Sequence, residues 1–210
     1  MMDLIMRKML DGCEWIMRIV KLNLICVLTS ALGIVVFSFL PALVGGLYVT
    51  RGWLKGETDL PIWKRFWQGF KQYYGKSQLL GWILAIGYLI LYVDYSFFNR
   101  LQGDVIGSLG LGSLVILSGI WMMLTIYIFP LMLTKNLSIL RLFKVSFFSI
   151  MAYIHYLFIA LIGILAILFI SYLLPGMWVF LTIGTILFWV NCFYRIVEHK
   201  LSQKHVLMKI

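Results

Sequence analysis

The sequence predicts an all-α polytopic membrane protein, on three observations: its apolar content, the length of its uncharged runs, and the one-sided placement of its basic residues. Of 210 residues, 62% are hydrophobic and 12% charged, against about 25% charged in a soluble domain. A water-soluble chain of this size covers its exterior with polar side chains, and too few are present to do so. Lipid is the solvent this composition fits. A single integral membrane domain, 1–210, is expected.

The N-terminal segment, 1–21, reads as an amphipathic helix. Ile5, Met9, Ile16 and Val20 take one face, Arg7, Asp11, Glu14 and Arg18 lie nearer the other, and Glu14 and Arg18 are spaced for a helix-surface pair. A basic start followed by an apolar run resembles a signal peptide, yet the run from residue 22 is too long for an h-region and lacks an A-x-A site. It is expected to stay in the mature protein. Residues 22–50 are apolar throughout and interrupted by Gly33, Pro41, Gly45 and Gly46. Proline removes a helix hydrogen bond and clashes with the preceding turn, so a break near Pro41 is expected. The region is either one tilted, kinked span, giving five crossings, or a hairpin, giving six membrane-inserted helices.

Charge bias favours the hairpin. With it, segments 1–21, 51–76, 134–150 and 195–210 share one side and carry seventeen of the eighteen Lys and Arg, leaving Arg100 opposite. A single first span would move the four N-terminal cations across. By the positive-inside rule both termini are then cytoplasmic, in the plasma membrane. The same spread of basic residues suits an anionic inner leaflet and not nucleic acid, for which no compact basic domain exists.

Residues 61–76 read as an interfacial helix. Trp63, Phe66, Trp67, Phe70, Tyr73 and Tyr74 recur at helical spacing, with Lys64, Arg65, Gln68, Lys71 and Gln72 on the other face and Pro61 at a tolerated first-turn position. Four plain spans follow at 77–98, 105–133, 151–174 and 177–194, each long enough for a hydrocarbon core of about 30 Å. Their outer connections, 99–104 and 175–176, are short, so no extracellular binding domain is expected. Residues 195–210 form a cytoplasmic tail. At an offset of 77 residues, Ile62, Phe66, Phe70 and Leu80 align with Ile139, Phe143, Phe147 and Leu157, and Lys64 with Arg141. The pattern suggests an amphipathic helix plus a membrane hairpin, repeated in parallel.

Polar groups within hydrocarbon come first as site candidates. Asp94 is the one carboxylate inside a span, with Arg100 near it for pairing across the turn. Tyr88, Tyr92, Tyr95 and Asn99 form a stripe on the same helix, a stacking surface for sugar rings or an interface anchor. His155 opens one span and Asn191 closes another, each at an interface or bonded between helices. His199 and His205 sit on the tail. Cys13, Cys26 and Cys192 have neither disulfide nor zinc spacing. Gly107, Gly110 and Gly112, with Ser108 and Ser113, permit close helix approach. No phosphate loop, nucleophile elbow or H-E-x-x-H occurs, so no cofactor, metal or enzymatic activity is expected.

The stretch CEWIMRIVKLNL, followed by ALGIVVFSFLPALVGGLYVTRGWLKGETDLPIWKRFWQGFKQYYGKS, resembles the YesL-like family of bacterial integral membrane proteins. Asn23, Gly33, Pro41-Ala42, Trp53, Glu57, Asp59, Phe66-Trp67 and Phe70-Lys71 carry the resemblance, clearest over the first eighty residues or so. Leu43 stands where members often have Thr. The resemblance implies a neighbourhood and no reaction, because genes of this family tend to sit beside carbohydrate ABC uptake systems and sugar-responsive regulators in Gram-positive bacteria. The expected function is therefore an accessory subunit of a sugar ABC permease, with a small solute transporter or channel as the alternative.

Overall fold

The computed structural model describes residues 2–33, 35–58, 61–100, 105–135 and 137–203. They form eight helices and no strand: α1 Met2–Leu32, α2 Val35–Leu54, α3 Ile62–Arg100, α4 Val105–Thr134, α5 Ile139–Ala152, α6 Ile154–Leu173, α7 Gly176–Phe180 and α8 Thr182–Gln203. Four are long and apolar enough to cross a membrane: the Gly12–Leu32 part of α1, then α3, α4 and α6. The chain is a helical, multi-pass membrane protein. Expectations resting on the side chains of Ile5, Arg7, Met9 and Asp11, and on Asp59 and His205, fall outside the described residues.

Residues 22–50 fold back on themselves. Ser38 Oγ donates to the Gly33 carbonyl at 2.6 Å, Cys26 Sγ lies 3.7 Å from the Ala42 carbonyl, and the Trp15 and Trp53 rings meet edge to face at 5.8 Å. Partner numbers rise on one helix as they fall on the other, which defines an antiparallel α1/α2 hairpin. Its break lies between Leu32 and Val35 and not near Pro41, which sits inside α2. Spanning helices tolerate proline because neighbours re-satisfy the freed backbone. Gly33 supplies the bend instead, since a Cβ there would overlap the Ser38 side chain.

α3 returns along α2, with Arg65 against Gly52, Gly69 against Tyr48 and Gly81 against Leu40. The expected interfacial helix and the span after it are one continuous helix of 39 residues, about 58 Å long at 1.5 Å per residue. That is nearly twice the thickness of a hydrocarbon core. No proline or multiple-glycine break separates the two stretches, so the helix runs through, and its first turns pack on α2.

Two further hairpins repeat one device. In α3/α4, the Trp121 indole covers Gly87 and donates to the Leu84 carbonyl at 3.2 Å; in α6/α8, Trp189 covers Gly163 and donates to the Ala160 carbonyl at 3.2 Å. In both, the glycine clears space for the ring and the acceptor lies one turn before it. α5 precedes α6 as the first turns of α3 precede its span, the two being separated at Tyr153. α3 and α5 start at Ile62 and Ile139, the 77-residue offset seen in the sequence.

Candidate functional sites

Asp94, Tyr92, Tyr95 and Arg100 lie on the second half of α3, where no residue beyond Leu84 is buried. Asp94 is half-buried and Arg100 exposed, and they form no ion pair among the described residues. The sequence placed a turn between them, but α3 continues through Arg100. Six residues at 3.6 per turn point the two side chains to different faces. Tyr88 hydrogen-bonds Thr125 Oγ1 at 3.2 Å across to α4. Tyr92 and Tyr95 line an open groove of about 410 Å³ with Leu111, Leu114 and Ser118 of α4. The stripe thus borders an open groove between α3 and α4.

Asn191 is almost fully buried. Its amide donates to the Leu47 carbonyl at 2.8 Å and to Thr50 Oγ1 at 2.6 Å, tying α8 to α2. A second amide ties α1 to α7 and α8. Asn23, fully buried, donates to the Val179 carbonyl at 2.5 Å and accepts from the Gly184 backbone N–H at 3.0 Å. Helix ends leave carbonyl and N–H groups without internal partners, and Asn23 serves the region where α7 hands over to α8. Sequence reasoning missed Asn23 as a bonding residue, and an amide inside an apolar run was the available signal. His155 is exposed at the start of α6, its ring 4.3 Å from that of Tyr156. Among α4, α6 and α8 the interior void holds only about 10 Å³, at the lower limit for a single water.

At the opposite end from Arg100, basic side chains bind neighbouring helices. Arg51 donates to the Leu133 carbonyl at the end of α4, Arg195 to the Leu54 carbonyl at the end of α2, Lys76 to the Leu137 carbonyl at 2.6 Å, and Lys200 to the Tyr156 hydroxyl. Cations suit the Leu133 and Leu54 carbonyls because helix C-termini carry unsatisfied carbonyls and partial negative charge. Arg65 departs from the solvated face assigned to it. Its side chain is 8% exposed, lies against the bare Cα of Gly52 and faces the Tyr48 ring at 5.7 Å. It pairs with the Glu57 carboxylate and donates to the Glu57 carbonyl at 3.0 Å. The Arg65 hydrogen bond and charge, reinforced by Lys55 and Arg51, hold the Glu57 carboxyl below its ordinary pKa. Phe66 is fully buried beside Gly45, Trp67 and Phe70 are half-buried, and Trp63, Lys64 and Lys71 are exposed.

The family described as "Protein of unknown function, DUF624" matches residues 19–95. "Uncharacterized protein YteU" of Bacillus subtilis (strain 168) is 30% identical over 190 residues, covering 90% of this chain and 83% of that protein. The chain belongs to the DUF624 family. "Uncharacterized protein YesL" of the same organism is 32% identical over 65% of this chain and 63% of its own length, and "Uncharacterized protein YesV" 31% over 57% of each. No solved structure matches. The DUF624 match runs from the second half of α1 almost to the end of α3. It contains Asn23, the Arg65–Glu57 pair, Trp63 and Asp94, whereas His155 and Asn191 lie beyond it. No cluster of three or more His, Cys, Asp or Glu able to hold a metal occurs among the described residues.

Proposed function

We propose that this DUF624 protein is a non-enzymatic accessory subunit of a carbohydrate ABC permease, held in the plasma membrane with both termini cytoplasmic. The observation that carries the reading is how the molecule divides its polar and apolar groups. In the packed bundle, Asn191, Thr50, Asn23, Ser171 and Thr182 bond helix to helix, which suits a scaffold better than a solute path. Beyond Leu84, by contrast, α3 and the first half of α4 form an arm whose side chains are largely exposed. Tyr92, Phe97, Val105, Ile106, Leu109, Val115 and Ile116 are each more than half exposed. Such an arm suits the membrane helices of a partner, and the gene neighbourhood implied by the family resemblance supplies the partner class.

The test is affinity purification of the tagged native protein from mild detergent, with sugar uptake measured in a deletion strain. Recovery of permease subunits and a fall in uptake are expected. If neither occurs, and purified protein moves solute into liposomes with loss in Asp94→Asn, the transporter reading replaces this one.

A further inference from the structure

Two groups of cations can be told apart at the basic end. Arg51, Arg65, Lys76, Arg195 and Lys200 spend donors inside the molecule, on helix ends, the Glu57 carboxylate and the Tyr156 hydroxyl. Arg18, Lys21, Lys64 and Lys71 instead line two open grooves that meet at Trp63. One, of about 810 Å³, runs between α1 and the start of α3; the other, of about 680 Å³, lies on the outer side of α3. The first groove changes character along its length. Arg18 and Lys21 stand at its head, Leu24 and Ile25 follow on the next turn of α1, and Ile62 and Trp63 line it from α3. From Arg18 to Ile25 the rise is about 10 Å. Glu14 shares the head of the groove but approaches Arg18 only to 3.7 Å, a loose contact for a charge-assisted bond. Beyond Lys21 the helix carries no further charge up to Leu32.

We propose that the α1/α3 groove is a binding site for one anionic phospholipid, its phosphate held by Arg18 and Lys21 and its acyl chain laid along Leu24, Ile25 and Ile62. Trp63, 55% exposed, lines the same groove, and tryptophan is enriched at bilayer interfaces. A cationic head that grades into an apolar wall fits an amphiphile. An acidic peptide would leave the apolar end unfilled, and a free phosphate would use only the head. Basic pockets between helices on the cytoplasmic side recognise acidic headgroups by this chemistry, and Lys64 and Lys71 across Trp63 deepen the same positive field.

The site is tested by native mass spectrometry of the full chain in maltoside micelles, titrated with phosphatidylglycerol and, separately, with phosphatidylcholine. One phosphatidylglycerol should be retained in preference to phosphatidylcholine. Arg18→Gln with Lys21→Gln should weaken it about 30-fold, which is about 2 kcal/mol at 1.4 kcal/mol per tenfold. Ile25→Trp, which fills the groove and keeps both cations, should weaken it as well. Arg141→Gln with Lys144→Gln, which removes two exposed charges from α5, should leave it within about twofold. Equal retention of the two lipids, equal loss in the α5 pair, or displacement of the lipid by millimolar inorganic phosphate would each overturn the assignment.

Discussion

Asn191→Leu and Asn191→Asp disturb one buried node in opposite senses, and their difference tests whether the α2/α8 seam is a dry scaffold. The native amide makes two bonds, to the Leu47 carbonyl and to Thr50 Oγ1. Hydrogen bonds between membrane helices average about 0.6 kcal/mol and reach about 1.7. Leucine forfeits both, yet Thr50 keeps its own bond to the Leu47 carbonyl at 3.2 Å, so no hydroxyl is orphaned and the cost is about 1 kcal/mol. Aspartate also forfeits the donors and turns a carboxylate toward the Leu47 carbonyl. A charge in a spanning helix adds about 2.5–3.5 kcal/mol, so this variant should lose about 3 kcal/mol or more. The assay is reversible unfolding in micelles titrated with dodecyl sulfate, followed by helical circular dichroism. If Asp and Leu are tolerated equally, water reaches Asn191, the seam is a polar path, and the scaffold reasoning fails.

Three other outcomes follow from named contacts. Gly163→Ala sets a methyl into the Trp189 indole, while Gly112→Ala on α4 meets open space; the first should cost about 1–3 kcal/mol and the second should be neutral or gain up to about 1 kcal/mol from helix propensity, with equal dodecyl sulfate midpoints refuting the indole-over-glycine packing. Because Glu57 is held below its ordinary 4.5 by Arg65, its contribution is present above that value and lost as pH falls through the folded pKa. Thermal stability should therefore decline on acidification below about pH 4.5, and Glu57→Gln should flatten that part of the profile; an unchanged profile would remove Glu57 from the cause. In a version lacking Cys13, Cys26 and Cys192, a cysteine at Met2 or Lys200 should react with impermeant maleimide only after cell lysis, and one at Tyr172 in intact cells. Labelling of Met2 from outside would reverse the proposed orientation.

What was legible in the sequence followed from properties that a residue type carries by itself. Uncharged runs mark spans wherever they occur, and the side on which Lys and Arg accumulate separated a hairpin from a kinked span before any contact was known. Pro41 misled because a breaker is strong in isolation and weak once neighbouring helices hold the turn around it. The continuity of α3 was missed for a related reason. A change from aromatic and basic to purely apolar residues marks a change of surroundings, and nothing in backbone chemistry obliges the helix to stop there. Arg65 shows the limit from the other direction. Its burial depends on Gly52, which leaves room for a guanidinium, and on Glu57 at the loop, so it belongs to a pair of helices and cannot be assigned from a helical wheel of one.

The same dependence explains why the cations carry two meanings. Counted along the chain, they state which end of each hairpin faces the basic side, and that count is indifferent to where each side chain goes. In the folded molecule Arg51 and Arg195 reach across to the last carbonyls of α4 and α2, helix ends that would otherwise stand without partners next to an apolar interior. A residue placed by topology is thereby at hand for capping, because α2, α4 and α8 all end on the side where Lys and Arg collect. The side that Arg100 occupies holds the turn between α6 and α8, where the Ser171–Thr182 hydroxyl pair joins the two helices. Capping by cations at the basic end thus follows from a single constraint, the sidedness of charge.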